Sequence, residues 1–294
     1  MTLVAKGLVV PQDRGWRIAR GLPYLLAAVM VLICLLMVLP LVAAFLASLK
    51  TPAEAAAVPP TYLPHSLSLD SYQRLWAYQA GMPVYLWNSF ATAMLTIAFT
   101  LALGIPAGFA LARFPLPMKE GLFVLLLLAL IVPYQALLTP TFLMFAKLGL
   151  TNSVLGLAII HTAIQFPFSI YILRNGFESI PIELEEAAVI DGCTPFQILL
   201  RIALPMLMPA VVTVSLFAFI TSWNEFLGAL VMMSKQDSFT LPLILAAART
   251  ETSLGGTDWG MLQAGVMISI IPCVAIYLLL QKYYVAGLTK GAVK

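Results

Sequence analysis

Long apolar runs alternate with short polar intervals along this chain. Six of them exceed the roughly 20 residues that a helix needs to cross a hydrocarbon core of about 30 Å. They are 23–48, 84–112, 121–146, 153–173, 204–232 and 261–285. The second, third and fifth are longer than a perpendicular crossing requires, so they tilt or extend past the headgroups. The first follows Arg14, Arg17 and Arg20, as the core of a signal peptide follows basic residues. Its apolar run far exceeds the about 7–15 residues of such a core, so it reads as an uncleaved anchor. The pattern predicts an all-α polytopic membrane protein: a segment 1–22, then a domain 23–294 of six transmembrane helices.

Composition agrees. The chain is 61% hydrophobic and 10% charged, with a mean hydropathy of +0.97. Soluble domains carry about 25% charged residues, so this one is too apolar to meet water over its whole surface. No basic patch interleaved with aromatics suggests nucleic acid. Cys34, Cys193 and Cys273 are far apart, two of them inside apolar runs, and read as buried free thiols. They form neither a metal cluster nor a disulfide framework.

Lysine and arginine set the orientation, because they accumulate in cytoplasmic segments. With the N-terminus inside, eleven fall inside (Lys6, Arg14, Arg17, Arg20, Arg113, Lys119, Arg174, Arg201, Lys282, Lys290, Lys294) and five outside (Lys50, Arg74, Lys147, Lys235, Arg249). Both termini are therefore expected in the cytoplasm, with the polar insert 174–203. Two long loops, 49–83 and 233–260, then face out. The first is rich in proline and carries Tyr62, Tyr72, Trp76 and Tyr78; the second contains Gly255-Gly256-Thr257-Asp258-Trp259-Gly260. Polar loops with several aromatics suit either docking of an external protein or anchoring at the interface.

The insert is unusual for a membrane protein. Glu178, Glu183, Glu185, Glu186 and Asp191 make up five of the chain's thirteen acidic side chains. Pro181 suits the first position of a helix, whose N–H needs no partner. Glu183 lies in the first turn, where the dipole favours a carboxylate. Gly192 is placed to end that helix through positive φ. Thr194-Pro195-Phe196-Gln197 has the form of a capping box, so a second short helix follows at once. The expected product is a bent pair, acidic on the first arm and apolar on the second (Phe196, Ile198, Leu199, Ile202). An amphipathic loop lying on the headgroups is the plain alternative, but an acidic arm is ill matched to an anionic leaflet.

Glu186-Ala187-Ala188, three residues, Gly192, nine residues, Ile202, one residue and Leu204-Pro205 resemble the EAA loop of binding-protein-dependent ABC importer permeases. Ser222-Trp223-Asn224-Glu225-Phe226 and the tail Gly287-Leu288-Thr289-Lys290-Gly291-Ala292-Val293-Lys294 resemble the maltose-transporter-type, carbohydrate-importing branch. The resemblance implies a type I ABC importer permease fold in a bacterial inner membrane. It also implies a second permease subunit, two cytoplasmic ATPase subunits and an external solute-binding protein. Glu185, Glu186, Ala187, Ala188, Asp191 and Gly192 become the ATPase-coupling residues, with Glu186 pairing with a basic residue of the ATPase and Gly192 making the bend. The tail is a further candidate for ATPase contact. The chain has no G-x-x-x-x-G-K-[ST] loop, so it lacks that route to cradling phosphates. It is expected to be a transport subunit with no catalytic residue, metal or cofactor of its own, ATP and magnesium being bound by the partner ATPases.

Polar groups inside spans are costly and usually face protein or a cavity. Glu225 is the acid of the fifth span; Asn88, Gln135, His161, Gln165, Trp223 and Asn224 are the other candidates for a substrate path. His161 and Gln165 are four apart and share a helix face. Tyr85, Trp87 and Tyr134 could supply aromatic surface to a sugar. Pro133, Pro140 and Pro167 read as kinks. Three other readings remain: an importer for a non-carbohydrate solute; a stand-alone secondary transporter or channel, which should show several coupling acids and internal repeats; and an intramembrane enzyme, for which no nucleophile–base or metal-ligand set is visible.

Overall fold

The computed structural model describes residues 15–248 and 257–292, with side chains over 23–248 and 257–281. Lys6, Arg14, Arg249 and Gly255-Gly256 lie outside the described residues, as do Val293-Lys294 and the side chains of Arg17, Arg20, Lys282 and the tail from Gly287.

The described chain is helical. A first long helix, α1 (Gly15–Ser48), leads into two short ones, α2 (Pro52–Ala55) and α3 (Asp70–Trp76). Then come α4 (Met82–Arg113), α5 (Lys119–Leu128), α6 (Tyr134–Lys147) and α7 (Val154–Glu178). The insert gives α8 (Ile182–Ile190) and α9 (Pro195–Ile198), which runs through one π-helical stretch, Leu199–Ala203, into α10 (Leu204–Met206). The last elements are α11 (Met208–Asn224), α12 (Leu227–Met232), α13 (Leu241–Ala248) and α14 (Trp259–Ala292).

Four described helices are long and apolar enough to cross a bilayer, and the pair Pro195–Met206 with Met208–Asn224, bent by 78°, forms a fifth candidate. The third expected span is not one helix. It is split into α5 and α6, with Pro133 as the N-cap of α6. The fifth is broken twice, at Leu207 and again at Glu225, whose ψ of 127° is extended. Pro205 and Pro209, which lack N–H groups, flank the first break and open the helices on either side of it. The kink expected at Pro133 is a full interruption, whereas Pro140 and Pro167 sit inside continuous helices.

α4, α7 and α11 form the packed centre. Between membrane helices packing replaces hydrophobic drive, and small residues let backbones approach. Gly108 of α4 does this: a Cβ there would stand 3.0 Å from the Leu173 Cβ and 3.3 Å from the Arg174 backbone nitrogen of α7. One buried cluster (Phe109, Leu173, Phe177, Ala188, Ile198, Leu207) joins the insert to these helices. A second, around Leu75, Met82, Tyr85, Trp223 and Leu241, fills the opposite end. α1 packs along α14, but none of its most apolar stretch is buried within the chain. All three cysteines are free, but none is buried as expected: Cys34 is exposed, and Cys193 and Cys273 are half-buried.

The two long loops meet at the end remote from α8. Asn88 donates from Nδ2 to the carbonyls of Asp237 (2.8 Å) and Phe239 (3.0 Å). Arg74 pairs with Asp258. Glu54 accepts from the Thr61 hydroxyl (2.9 Å) and the His65 backbone N–H (3.0 Å), and its Oε1 lies 2.9 Å from the His65 ring Nδ1.

Candidate functional site

The insert folds into a hinged arm for local reasons that the sequence carries. Glu183 and Glu185 occupy the first turn of α8, where the helix dipole favours them. Pro181 is the N-cap, one place earlier than the first helical position expected for it. At the far end Gly192 has φ +81°. The Cys193 N–H reaches the Ala188 carbonyl (2.9 Å) and the Gly192 N–H that of Val189 (3.0 Å). These are the two closing bonds of a helix that ends through a left-handed residue. The capping box is complete: Thr194 Oγ1 accepts from the Gln197 N–H (3.3 Å), and Gln197 Oε1 accepts from the Thr194 N–H (2.8 Å).

The arm divides the expected coupling residues into two sets. Glu186, Ala187, Asp191 and Gly192 are exposed; Glu185 and Ala188 are buried. Glu185 and Ala188 are three apart and so share a helix face. Ala188 packs into the cluster around Phe109 and Phe177. Glu185 Oε1 accepts from Arg113 Nε at 2.8 Å. The same guanidinium donates from one terminal nitrogen to the carbonyls of Phe177 (2.7 Å) and Ile180 (2.8 Å). A helix leaves its last carbonyls without partners, and a cation there is also favoured by the negative end of the dipole. Arg113, the last residue of α4, therefore serves the end of α7 and the start of α8 together.

Sequence reasoning missed Arg113, counting it only as a cytoplasmic charge. The available signal was its place as the final basic residue of a span opposite an acid-rich arm. A second arginine works nearby. Arg174 donates from Nε to Glu178 (2.8 Å) and from a terminal nitrogen to Glu120 (2.6 Å), and lies 4.1 Å above the Phe123 ring centre. The Arg174 hydrogen bond holds the Glu120 carboxyl below its ordinary range.

Within the membrane-crossing region a polar seam crosses from α7 to α11 and α12. His161 Nδ1 lies 2.8 Å from Ser222 Oγ, and Nε2 lies 3.2 Å from Glu225 Oε2. Thr96 of α4 donates to Ser222 Oγ (3.3 Å). Glu225 also accepts from the N–H groups of Gly228 (2.7 Å) and Ala229 (3.2 Å). Its carboxylate thus caps α12 at the point where α11 stops. Hydroxyl, imidazole and carboxylate stand in the order of a nucleophilic triad. Here the hydroxyl is buried and already bonded to Thr96, and the carboxylate is committed to two backbone donors; the arrangement holds a broken helix together.

The other expected path residues do not join this seam equally. Gln165 is buried on the same face of α7, accepts weakly from Thr221 (3.4 Å), and has an amide nitrogen without a partner. Trp223 stacks on Phe219 and donates to the Ser269 carbonyl (3.1 Å). Asn224 bonds back to Ile220 on its own helix (2.8 Å). Asn88 anchors the segment 237–239, and Gln135 is exposed. Of the aromatics, Tyr85 is buried and bonded to the Ala80 N–H (3.1 Å), and Trp87 is exposed. The Tyr134 hydroxyl is buried without a partner.

Residues 104–290 match the family model described as "Binding-protein-dependent transport system inner membrane component". A sulfoquinovosyl glycerol transport system permease protein of Agrobacterium fabrum is 34% identical over 84% of this chain and 85% of its own length. An arabinooligosaccharides transport system permease protein of Halalkalibacterium halodurans is 32% identical, covering 93% and 97%. Among solved structures, a bacterial ABC transporter involved in the import of the acidic polysaccharide alginate superposes with a TM-score of 0.80. It covers 94% of this chain and 100% of that one at 23% identity, which speaks for the fold.

Proposed function

We propose that this chain, which belongs to the family of binding-protein-dependent transport system inner membrane components, imports a carbohydrate or glycoside as one permease subunit of an ATP-driven transporter. It is a multi-pass membrane protein and a transport subunit. The relatives named above are permeases for sulfoquinovosyl glycerol and arabinooligosaccharides, and this supports a sugar-like cargo. ABC-type partners come with the family; the finer reading is a second permease, two ATPase subunits that bind ATP and magnesium, and an external solute-binding protein. The membrane is the bacterial inner membrane. The termini and α8 lie on its cytoplasmic side, and the loops 49–83 and 233–260 meet the binding protein.

One observation carries the coupling role: a short, rigidly capped arm presents Glu186 and Ala187 to solvent while its other face is locked into the bundle. The exposed face docks on the ATPase, with Glu186 as its charged contact. ATP-driven closure of the ATPases then moves the arm and the spans behind it, opening the path alternately to each side. The Gln165 amide nitrogen and the Tyr134 hydroxyl, buried without partners beside the seam, are the groups that meet a hydroxylated solute once the path opens.

The test is the assembled complex in liposomes with its binding protein. ATP-dependent uptake of an oligosaccharide or glycoside is expected. In the Glu186→Ala variant the ATPase should no longer co-purify and uptake should stop. Uptake by this chain alone without ATP, or of amino acids in place of sugars, would sink the reading.

A further inference from the structure

We infer that Arg113 is a strut that makes the arm rigid with the transmembrane bundle, and that Glu185 is its counterpart inside this chain and not a contact for the ATPase. The inference rests on the reading of the arm as a lever, and it assigns the two faces of that lever to different tasks.

A lever transmits motion only if its joint does not flex. α8 follows α7 after a turn of three residues, Ser179, Ile180 and Pro181. Two helices joined by one short turn make a hinge, because the turn's dihedrals can absorb rotation. Arg113 closes that hinge from a third element. Its guanidinium holds the carbonyl of Phe177 at the end of α7, that of Ile180 within the turn, and the carboxylate of Glu185 in α8. The three helix ends become the corners of a braced triangle, which cannot open without breaking charge-assisted bonds.

The chemistry requires arginine. Its planar fork offers several N–H donors in fixed directions, whereas lysine is a single point charge on a flexible stem. Both partners are largely withdrawn from water: the side chains are 12% and 9% exposed. Neighbouring Glu183 and Glu186 are exposed on α8 and remain free to face outward. The close approach of α4 to α7 at Gly108 puts Arg113 within reach of the α7 carbonyls. Ala188, one turn on from Glu185, adds an apolar contact to the same buried face.

The experiment uses the full complex in liposomes and reads two quantities: the ATPase recovered with the membrane subunits, and solute moved per ATP hydrolysed. Glu185→Ala and Arg113→Lys should keep the ATPase bound. Solute moved per ATP should fall about tenfold, the scale for losing a hydrogen bond to a charged group. Glu185→Gln keeps the shape and an acceptor oxygen, and should fall between these variants and the unsubstituted complex. If the near-isosteric Glu185→Gln complex and the charge-conserving Arg113→Lys complex both transport with unchanged stoichiometry, the strut is wrong. If Glu185→Ala loses the ATPase as Glu186→Ala does, Glu185 belongs to the docking face and the inference falls. An unsubstituted complex without ATP-driven uptake overturns the functional reading itself, and the strut with it.

Discussion

Glu225 is the residue where sequence and structure inform each other most. An acid in an apolar span must find partners or lie near water. The sequence flagged it, and flagged His161 and Gln165 on one helix face, but gave no hint that His161 and Glu225 touch. Such a meeting depends on how α7 and α11 pack, which no local spacing encodes. Nor did it show that the helix stops at Asn224, because Ser-Trp-Asn-Glu-Phe contains neither glycine nor proline. The break is stabilised by what the carboxylate does next, accepting from Gly228 and Ala229. Glu225→Ala should therefore destabilise the chain by about 1–3 kcal/mol, the cost of stranding buried donors. Glu225→Gln, which keeps one acceptor oxygen, should cost less. Thermal unfolding of the purified complex in detergent ranks the two, and an equal loss would mean that the cap is not the stabilising element.

Among the elements, the short arm was the most legible. Its caps lie within five residues of what they satisfy, so Gly192, Thr194 and Gln197 could be read directly. The broken spans were not legible for the opposite reason. Membrane helices tolerate proline when neighbours satisfy the freed backbone groups, so Pro133, Pro140 and Pro167 looked alike, yet only Pro133 stands at an interruption. The arm's own weak point is Gly192. Its φ of +81° suits glycine, and open space surrounds the position of a Cβ. The penalty of a side chain there is thus conformational, about 1–2 kcal/mol. Gly192→Val should weaken both arm helices and Gly192→Asn much less, since asparagine tolerates that region. Hydrogen exchange over residues 181–198 should show faster exchange in the valine variant; equal protection in both would refute the argument.

For the molecule as a whole, composition alone identified the class, and the alternating basic count placed the two long loops on one side. The structure brings those loops together through Arg74–Asp258, while Asn88 of α4 holds the second of them. A titratable contact there has a defined sign. Burial raises the Glu54 carboxyl, but hydrogen bonds from His65 and Thr61 and the charge of the His65 ring outweigh it, leaving it below its ordinary 4.5. A lowered carboxyl contributes its stabilisation above the unfolded value and loses it as pH falls through the folded one. The order that Glu54 gives to residues 51–65 should persist at neutral pH and fade as the medium is acidified below 4.5. In Glu54→Gln, protease sensitivity of this loop should no longer depend on pH across that window. A variant that keeps the full acid dependence would assign it to another group.

The family model begins at residue 104, part-way along α4, and so leaves α1 out. α1 also buries none of its most apolar stretch in the chain's interior. The apolar stretch of α1 therefore keeps its surface for lipid or another subunit, even though the helix packs along α14. Substitutions along that stretch can follow lipid thickness or a neighbouring subunit without disturbing the chain's own core. Only the end of the helix is held from within, where Ser48 is buried against Tyr72, so α1 works as a mounting bracket bolted at one end of the gearbox.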